Sequence, residues 1–152
     1  MATPRVLVLR APGTNCDQET AFAFELAGGS AERVHINRLL EQPDIVKQFE
    51  ILCVPGGFSY GDDVAAGRIL ASQIRRHLWQ AMADFKQAGK LILGICNGFQ
   101  ILCEAGLLPG ALIRNNCLEF RCMTQCLAPE NSTERFSKAN LGERIYLPIA
   151  HG

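Results

Sequence analysis

Residues Lys90 to Gln100 have the sequence KLILGICNGFQ, which is the strongest indication of the fold. It begins as an apolar strand, reaches a cysteine flanked by glycines, and continues as a helix. The sharp bend of such a strand-to-helix turn exposes the cysteine, while Gly94 and Gly98 leave room for the backbone and a substrate to approach. The free amide groups and positive dipole end of the helix favour a thiolate. Cys96 is therefore the first candidate for a nucleophile.

Three further apolar segments predict strands of the same sheet. Residues 5–9 are almost continuously apolar, as expected of a strand covered on both faces, and residues 33–36 and 50–54 predict the next two strands. Because helical segments separate them, the sequence predicts an α/β domain with a mainly parallel open sheet and helices on both faces. The loops after residues 9 and 54 and the Cys96 turn should meet at the carboxyl edge, where such sheets bind ligands.

The connecting segments carry helix signals of different strength. After the loop at residues 11–17, Phe22 and Leu26 predict the apolar stripe of a helix that ends at Gly28. Only a short helical turn is predicted around Pro43. The clearest helix has apolar residues recurring at helical spacing, at Ile74, Leu78, Met82 and Phe85.

After Gly110 the pattern changes to the alternation of an antiparallel strand pair. Apolar residues alternate with polar ones at Leu118, Phe120 and Cys122 and again at Ile145, Leu147 and Ile149. A polar loop at residues 129–138 is predicted to join the two strands. Since no repeat or linker interrupts the chain, we predict a single domain over residues 1–152.

Length and composition exclude several functions. A chain of 152 residues can bury a core without disulfides or a metal, and fifteen acidic side chains balance fifteen basic ones, which indicates neither a nucleic acid nor a membrane as partner. The chain begins with a strand rather than a signal peptide, which predicts a cytoplasmic protein. The seven cysteines include no CxxC pair, so we expect no disulfide framework and most of the thiols as small core residues.

Residues 94–100 match the pattern Gly-x-Cys-x-Gly-x-Gln and resemble the motif of class I, triad-type glutamine amidotransferases. Two further stretches resemble signatures of the glutaminase part of phosphoribosylformylglycinamidine synthase: PGGFSYGD at residues 55–62 and GTNCD at residues 13–17. The resemblance extends to PIAHG at residues 148–152. It implies hydrolysis of glutamine to glutamate and ammonia through a cysteinyl thioester on Cys96.

The resemblance also implies roles for the neighbours of Cys96. The backbone amide of Asn97 and an amide of the Gly56-Gly57 turn would bind the oxyanion, and Gln100 would help to hold the substrate. No metal or cofactor is implied in this chain. The resemblance implies that ATP and magnesium bind only to a partner synthetase, which would use the ammonia in purine biosynthesis, and it suggests a small accessory subunit as a second partner.

Each motif has a structural alternative. A lone cysteine before a helix is usually a core residue, Gly98 can serve only close helix packing, and residues 55–57 can form only a tight turn. Asp62 and Asp63 are most simply caps of the following helix. Tyr60 either contacts a ligand or packs as a ring, and the sequence does not decide between the two.

The general base that such a reaction requires has no clear candidate. His35 and His77 are interpreted as structural or exposed, whereas His151 follows the last predicted strand. The family takes its base from a His-Pro-Glu segment, which this sequence does not contain, and PIAHG is a separate, earlier landmark. We therefore expect His151 not to be the base, the chain to be a shortened form of the domain, and its glutaminase turnover to be negligible.

Two other functions fit part of the pattern. A cysteine at the same turn of a similar sheet occurs in redox-sensing or deglycase proteins related to DJ-1, which lack the glutamine motif. A noncatalytic binding domain is the second alternative, and the missing base favours it. The Gly98-Phe99-Gln100 sequence and the loop at residues 56–62 favour the amidotransferase.

Overall fold

The computed structural model describes residues 2–128 and 143–152. It divides into two compact units, one formed by the residues up to Leu112 and the other by those from Ile113 onward. Each unit is described by itself.

The first unit contains a four-stranded sheet in which all neighbouring strands are parallel. Its strands follow the order β2-β1-β3-β4, with the bounds β1 Arg5–Arg10, β2 Ser30–His35, β3 Ile51–Val54 and β4 Leu91–Gly94. In the register, Leu7 pairs with Leu52, which in turn pairs with Ile92. The predicted parallel sheet is confirmed.

Five α-helices belong to this unit: α1 Asp17–Leu26, α2 Ile36–Glu41, α3 Arg68–Gln73, α4 Trp79–Gln87 and α5 Asn97–Ala105. The segment around Pro43 is the predicted short helical turn, a 3-10 turn over Pro43–Gln48. The second strand ends earlier than predicted, because the backbone amide of Asn37 donates to Nδ1 of His35 and α2 begins at Ile36. Ile36 is therefore a buried helical residue and not the end of a strand.

The core lies on both faces of the sheet, as predicted. On one face, buried side chains of β1 and β3 pack with buried residues of α3, α4 and α5. On the other face, Val6 and Val8 pack with Ala21 of α1. The predicted long helix runs from α3 through a π turn at Ile74–Leu78 into α4, and its four predicted core residues are all buried.

The predicted apolar stripe of α1 is wrong. Phe22 and Leu26 are 64% and 79% exposed, and the helix buries Asp17, Thr20 and Ala21 instead. The buried carboxylate of Asp17 is compensated by ion pairs, since its Oδ2 lies 2.7 Å from Nε of Arg10 and 3.1 Å from an Nη of Arg33.

The second unit contains the predicted antiparallel pair, formed by β5 Arg121–Leu127 and β6 Ile145–His151. Met123 pairs with Ile149 near the middle of the ladder. Leu118 and Phe120 precede β5 and are exposed, so the first strand starts later than predicted. The predicted loop at residues 129–138 lies outside the described residues. Over residues 2–128 and 143–152, no helix combines the length and hydropathy needed to cross a membrane.

Candidate active site

Three loops meet at the carboxyl edge of the sheet, as predicted. The loop after β1 and the loop after β3 are joined by backbone hydrogen bonds, in which Phe58 N donates to Gly13 O at 3.0 Å and Tyr60 N to Pro12 O at 2.7 Å. Thr14 and Gly57 form an isolated antiparallel bridge between the same loops. The turn after β4 is tied to β3, because Ile95 N donates to Val54 O at 3.0 Å.

Cys96 occupies the turn between β4 and α5 and is exposed. Its backbone has φ 52° and ψ −113°, a conformation that side chains with a Cβ rarely adopt. One helical turn later, the backbone amide of Gln100 donates to the carbonyl oxygen of Cys96 at 3.2 Å. The chain thus holds an exposed thiol in a strained conformation at the start of a helix.

The glycines of the motif allow α5 to pack closely against the sheet. A Cβ on Gly98 would lie 1.8 Å from the carbonyl oxygen of Val54, and one on Gly94 would lie 2.6 Å from Cδ1 of Leu102. Real Cβ atoms do not approach backbone oxygen this closely. Close helix packing, the structural alternative for Gly98, is therefore what the geometry supports.

Gly56 and Gly57 lie on the loop beside the thiol. A Cβ on Gly56 would meet Cβ of Cys96 at 3.5 Å and Sγ of Cys16 at 3.6 Å. Gly57 has φ 138°, and a Cβ there would meet the backbone nitrogen of Asn15 at 2.8 Å. Gly56 therefore borders Cys96 directly, and Gly57 keeps the two loops in contact.

The side chain of Asn97 connects the elbow helix to the loop after β3. It is buried, its Oδ1 accepts a hydrogen bond from Ser59 N at 3.2 Å, and its Nδ2 donates to Oδ1 of Asp62 at 3.2 Å. The same Nδ2 donates to Oε1 of Gln100 at 3.0 Å. The backbone amide of Asn97 occupies the first position of α5, where no intrahelical acceptor exists.

Asp62 and Tyr60 both have structural partners. Asp62 Oδ1 accepts from the backbone amide of Gly67 at 3.1 Å, and Gly67 is the residue that precedes α3. Asp62 thus holds the loop before the helix and, contrary to the sequence interpretation, does not cap a first-turn amide of α3. Tyr60 packs partly buried against the core, and its hydroxyl donates to Oε1 of Gln73 at 3.0 Å. These contacts support the packing alternative for Tyr60.

Cys16 is a neighbour of Cys96 that the sequence interpretation missed. Cys16 N donates to Gly56 O at 3.4 Å, which brings an exposed second thiol to the border of Gly56. The prediction that most cysteines are core residues is wrong, because only Cys53 is buried and Cys103 half-buried. Cys16 and Cys96 are on loops at the sheet edge, and the remaining three are in the largely exposed second unit. In the sequence, the feature that could have identified Cys16 as a site residue is its position in the GTNCD motif, in the loop after β1.

The three histidines have different surroundings. His35 precedes α2 and accepts a hydrogen bond from Asn37 N, and His77 is exposed on the π turn. His151 ends β6 and is exposed, and its carbonyl oxygen accepts from Nδ2 of Asn115 at 3.0 Å. The contacts of His35 and the exposure of His77 agree with the sequence interpretation.

The surroundings of the thiols predict an order of reactivity. Burial raises the pKa of Cys53 to about 12, and burial followed by the charges of Glu19, Cys96 and Asp17 raises the pKa of Cys16. Hydrogen bonding with the backbone of Glu119, followed by the hydrogen bond that Nε of Arg121 donates to its Sγ at 3.2 Å, lowers the pKa of Cys117. Since the thiolate reacts, we expect iodoacetamide to alkylate Cys117 at lower pH than Cys16, and Cys53 last. Peptide mass spectrometry across pH measures this order, and faster alkylation of Cys16 than of Cys117 at neutral pH would contradict it.

The fold and the site agree with one family of proteins. A family model described as the CobB/CobQ-like glutamine amidotransferase domain matches residues 3–152. The chain belongs to this family, and its fold is that of a class I glutamine amidotransferase.

Individual relatives show which members of this family the chain is similar to. The chain is 47% identical to the phosphoribosylformylglycinamidine synthase subunit PurQ of Dehalococcoides mccartyi, and the match covers 100% of this chain and 62% of that protein. It is 44% identical to the PurQ subunit of Moorella thermoacetica, over 93% of this chain and 57% of that one. Among solved structures, PurLQS from Thermotoga maritima matches with a TM-score of 0.77 and 40% identity, over 99% of this chain and 68% of that one. The chain thus spans about three fifths of the length of these curated relatives.

Proposed function

We propose that this chain carries the glutaminase site of a phosphoribosylformylglycinamidine synthase. The observation that carries the proposal is the position of Cys96, an exposed thiol at φ 52° on the turn between β4 and α5, bordered by Gly56 of the neighbouring loop. The 47% identity to a PurQ subunit supports the same assignment. In this role the chain is the ammonia-supplying component of an ATP-dependent ligase that forms a carbon–nitrogen bond.

The chemistry proceeds in two steps. The thiolate of Cys96 attacks the side-chain amide carbon of glutamine, and the amide oxygen takes up the negative charge. The C–N bond then breaks, a thioester forms, and ammonia leaves with a proton from a general base, which we propose none of the three histidines of this sequence provides. Water attacks this thioester to release glutamate and restore the thiol.

The oxyanion is bound by backbone donors in this proposal. The amide of Asn97 lies at the start of α5, directly after the nucleophile, and the Gly56-Gly57 turn borders Cys96. Donors placed in this way are worth about 2.7–4 kcal/mol each in the transition state of comparable hydrolases. Gln100 lies one helical turn beyond Cys96, which suits a residue that holds the substrate.

The remaining assignments concern the assembly. We propose a synthetase subunit as the partner that receives the ammonia, with ATP and magnesium bound to that subunit and none to this chain. The solved relative is part of an assembly called PurLQS, which supports a multisubunit complex and a third, accessory component. A biosynthetic role of this kind supports the predicted cytoplasmic location.

A second candidate function is supported by the neighbouring thiols. Cys16 and Cys96 are both exposed and both border Gly56, as in a redox-responsive pair. Hydrogen peroxide would convert the thiolate of Cys96 to a sulfenic acid with release of hydroxide, and attack by Cys16 would form a disulfide with release of a second hydroxide. This function requires no recognition of glutamine.

Covalent labelling with diazo-oxonorleucine, a glutamine-shaped electrophile, tests the proposal. We expect modification at Cys96 with loss of dinitrogen, and we expect glutamine to suppress it. Cys117 is the control, because it is an exposed thiol with a lowered pKa whose modification glutamine should not affect. Peptide mass spectrometry reads out both sites. Modification of several cysteines without protection by glutamine would contradict the glutaminase site and favour the redox alternative.

A further inference from the structure

We propose that the side chain of Asn97 is a positioning residue that orients the amide of Gln100, so that Gln100 presents an N–H donor to the substrate. The inference rests on the proposed glutaminase function and deepens it. It concerns the buried side chain of Asn97, whereas the oxyanion role concerns only its backbone amide.

The orientation of the Asn97 amide is determined by its partners. The backbone amide of Ser59 can only donate, so the Asn97 atom 3.2 Å from it must be the oxygen Oδ1. The other end of the amide is then Nδ2, which has two hydrogens. One points to Oδ1 of Asp62 at 3.2 Å, and a carboxylate oxygen is an acceptor, which agrees with the assignment.

The second hydrogen of Nδ2 determines the orientation of Gln100. It points to the Gln100 amide at 3.0 Å, and only the oxygen Oε1 can accept it. If the Gln100 amide were flipped, its Nε2 would meet Nδ2 of Asn97, donor against donor. One orientation of Gln100 is therefore compatible with the buried network, and it directs Nε2 away from Asn97.

Gln100 is close enough to the nucleophile in the chain for the orientation of its amide to determine which substrate group it can bind. Gln100 lies one helical turn after the nucleophile, and its backbone amide donates to the carbonyl oxygen of Cys96 at 3.2 Å. A side-chain N–H donor at this place suits a carbonyl or carboxylate oxygen of glutamine. An acceptor at the same place would suit the ammonium group or the amide N–H of the substrate instead.

The same network is anchored outside α5. Asp62 Oδ1 also accepts from the backbone amide of Gly67 at 3.1 Å, immediately before α3. Asn97 therefore also links α5 to the loop before α3, and a purely structural role of this residue is the competing explanation. The two explanations differ in one respect, because only the positioning role depends on the side chain of Gln100.

Binding of glutamine can be measured without turnover, as the concentration of glutamine that halves the rate of iodoacetamide alkylation at Cys96. In Gln100→Glu the network keeps its acceptor for Asn97, but the outward donor becomes an anionic oxygen. We expect this concentration to rise roughly tenfold or more, because the hydrogen bond to a substrate oxygen is lost and a repulsion between that oxygen and the new carboxylate is added. Gln100→Met, which removes the contact without adding charge, should show a smaller rise.

Asn97→Asp tests the role of the asparagine itself. The carboxylate still accepts from Ser59 N, but its second oxygen faces Oδ1 of Asp62 and Oε1 of Gln100. The repulsion from Asp62 is the same whichever residue stands at position 100, whereas the repulsion from Oε1 makes the glutamine flip and present Oε1 outward. In the chain that keeps Gln100, we expect Asn97→Asp to raise the glutamine concentration that halves alkylation of Cys96 roughly tenfold. In a chain that already carries Gln100→Met, we expect Asn97→Asp to raise this concentration hardly any further. Asn37→Asp, an exposed substitution on the first turn of α2, controls for the added negative charge alone and should leave protection unchanged. The Gln100→Met background controls for the buried charge beside Asp62.

The outcomes distinguish a failure of the proposed glutaminase function from a failure of the roles inferred for Gln100 and Asn97. If glutamine does not protect Cys96 in the unmodified chain, the proposed glutaminase function fails. If it protects the unmodified chain and Gln100→Glu equally well, the donor role of Gln100 is wrong. If Asn97→Asp weakens protection to the same extent with Gln100 and with methionine at position 100, the role of Asn97 is structural and the inference is overturned.

Discussion

Gly98→Ala is expected to destabilise the first unit by about 3 kcal/mol or more, a large part of the stability of an ordinary domain. The added Cβ would lie 1.8 Å from the carbonyl oxygen and 2.5 Å from the carbonyl carbon of Val54. Both atoms belong to the backbone of β3, so no change of rotamer relieves the overlap. Either α5 moves away from the sheet or the strand shifts. The urea concentration at half-unfolding, followed by circular dichroism, measures the effect.

The matched control is Gly56→Ala, the same substitution at a buried glycine of the neighbouring loop. Its Cβ would meet Cys96 Cβ at 3.5 Å and Cys16 Sγ at 3.6 Å, which are ordinary van der Waals distances. We expect a change of less than about 1 kcal/mol in the free energy of unfolding. Equal midpoints for Gly98→Ala and the unmodified chain would show that α5 does not need this close approach to β3.

The strands and the long helix could be predicted because their signals are local. Continuous apolar runs indicated β1, β3 and β4, and the helical spacing of Ile74 and Met82 indicated buried positions that the structure confirms. The end of β2 was misplaced because Ile36 continues an apolar pattern. The strand ends there because the backbone amide of Asn37 donates a hydrogen bond to the side chain of His35. A hydrophobic pattern contains no information about such a bond.

The failure at α1 has a different physical cause. Phe22 and Leu26 have the spacing of a buried stripe, yet the sheet packs against Ala21, and Asp17 is buried with two arginines. A hydrophobic pattern assigns exposed positions to charged residues, so it cannot predict a buried carboxylate whose partners come from β1 and β2. The ion pairs depend on strand register, which is a tertiary property.

The sequence predicts the turn at Cys96 and the loops that meet beside it, but not the contacts between those loops. The glycines and the cysteine of residues 94–98 indicated a strand-to-helix turn, and the structure confirms it with a positive φ at Cys96. The proximity of Cys16 depends on the loop after β1 folding back, where Cys16 N bonds to Gly56 O. The hydrogen bonds from the Asn97 side chain to Ser59 and Asp62 likewise join residues 35 or more positions apart, so no local pattern contains them.

Replacement of Cys96 is expected to eliminate glutamine-protected labelling completely while revealing the strain of the turn. Both Cys96→Ala and Cys96→Gly remove the thiol, so neither should be modified at position 96 by diazo-oxonorleucine. Their stabilities should differ, and the glycine variant should be the more stable of the two. Because φ is 52° and ψ is −113°, alanine retains the strain of a Cβ and glycine does not.

We expect Cys96→Gly to be more stable than Cys96→Ala by about 1–2 kcal/mol, after the entropy that glycine loses on folding is taken into account. The matched control is Cys103, which lies inside α5 with ordinary helical geometry. There the order should reverse, with Cys103→Gly less stable than Cys103→Ala by about 1 kcal/mol, since glycine is unfavourable within a helix. Urea denaturation of the four variants measures both differences. If the alanine variant were more stable than the glycine variant at both positions, the backbone at Cys96 would store no strain. The exposure of the thiol would then need a cause other than the sharp turn between β4 and α5.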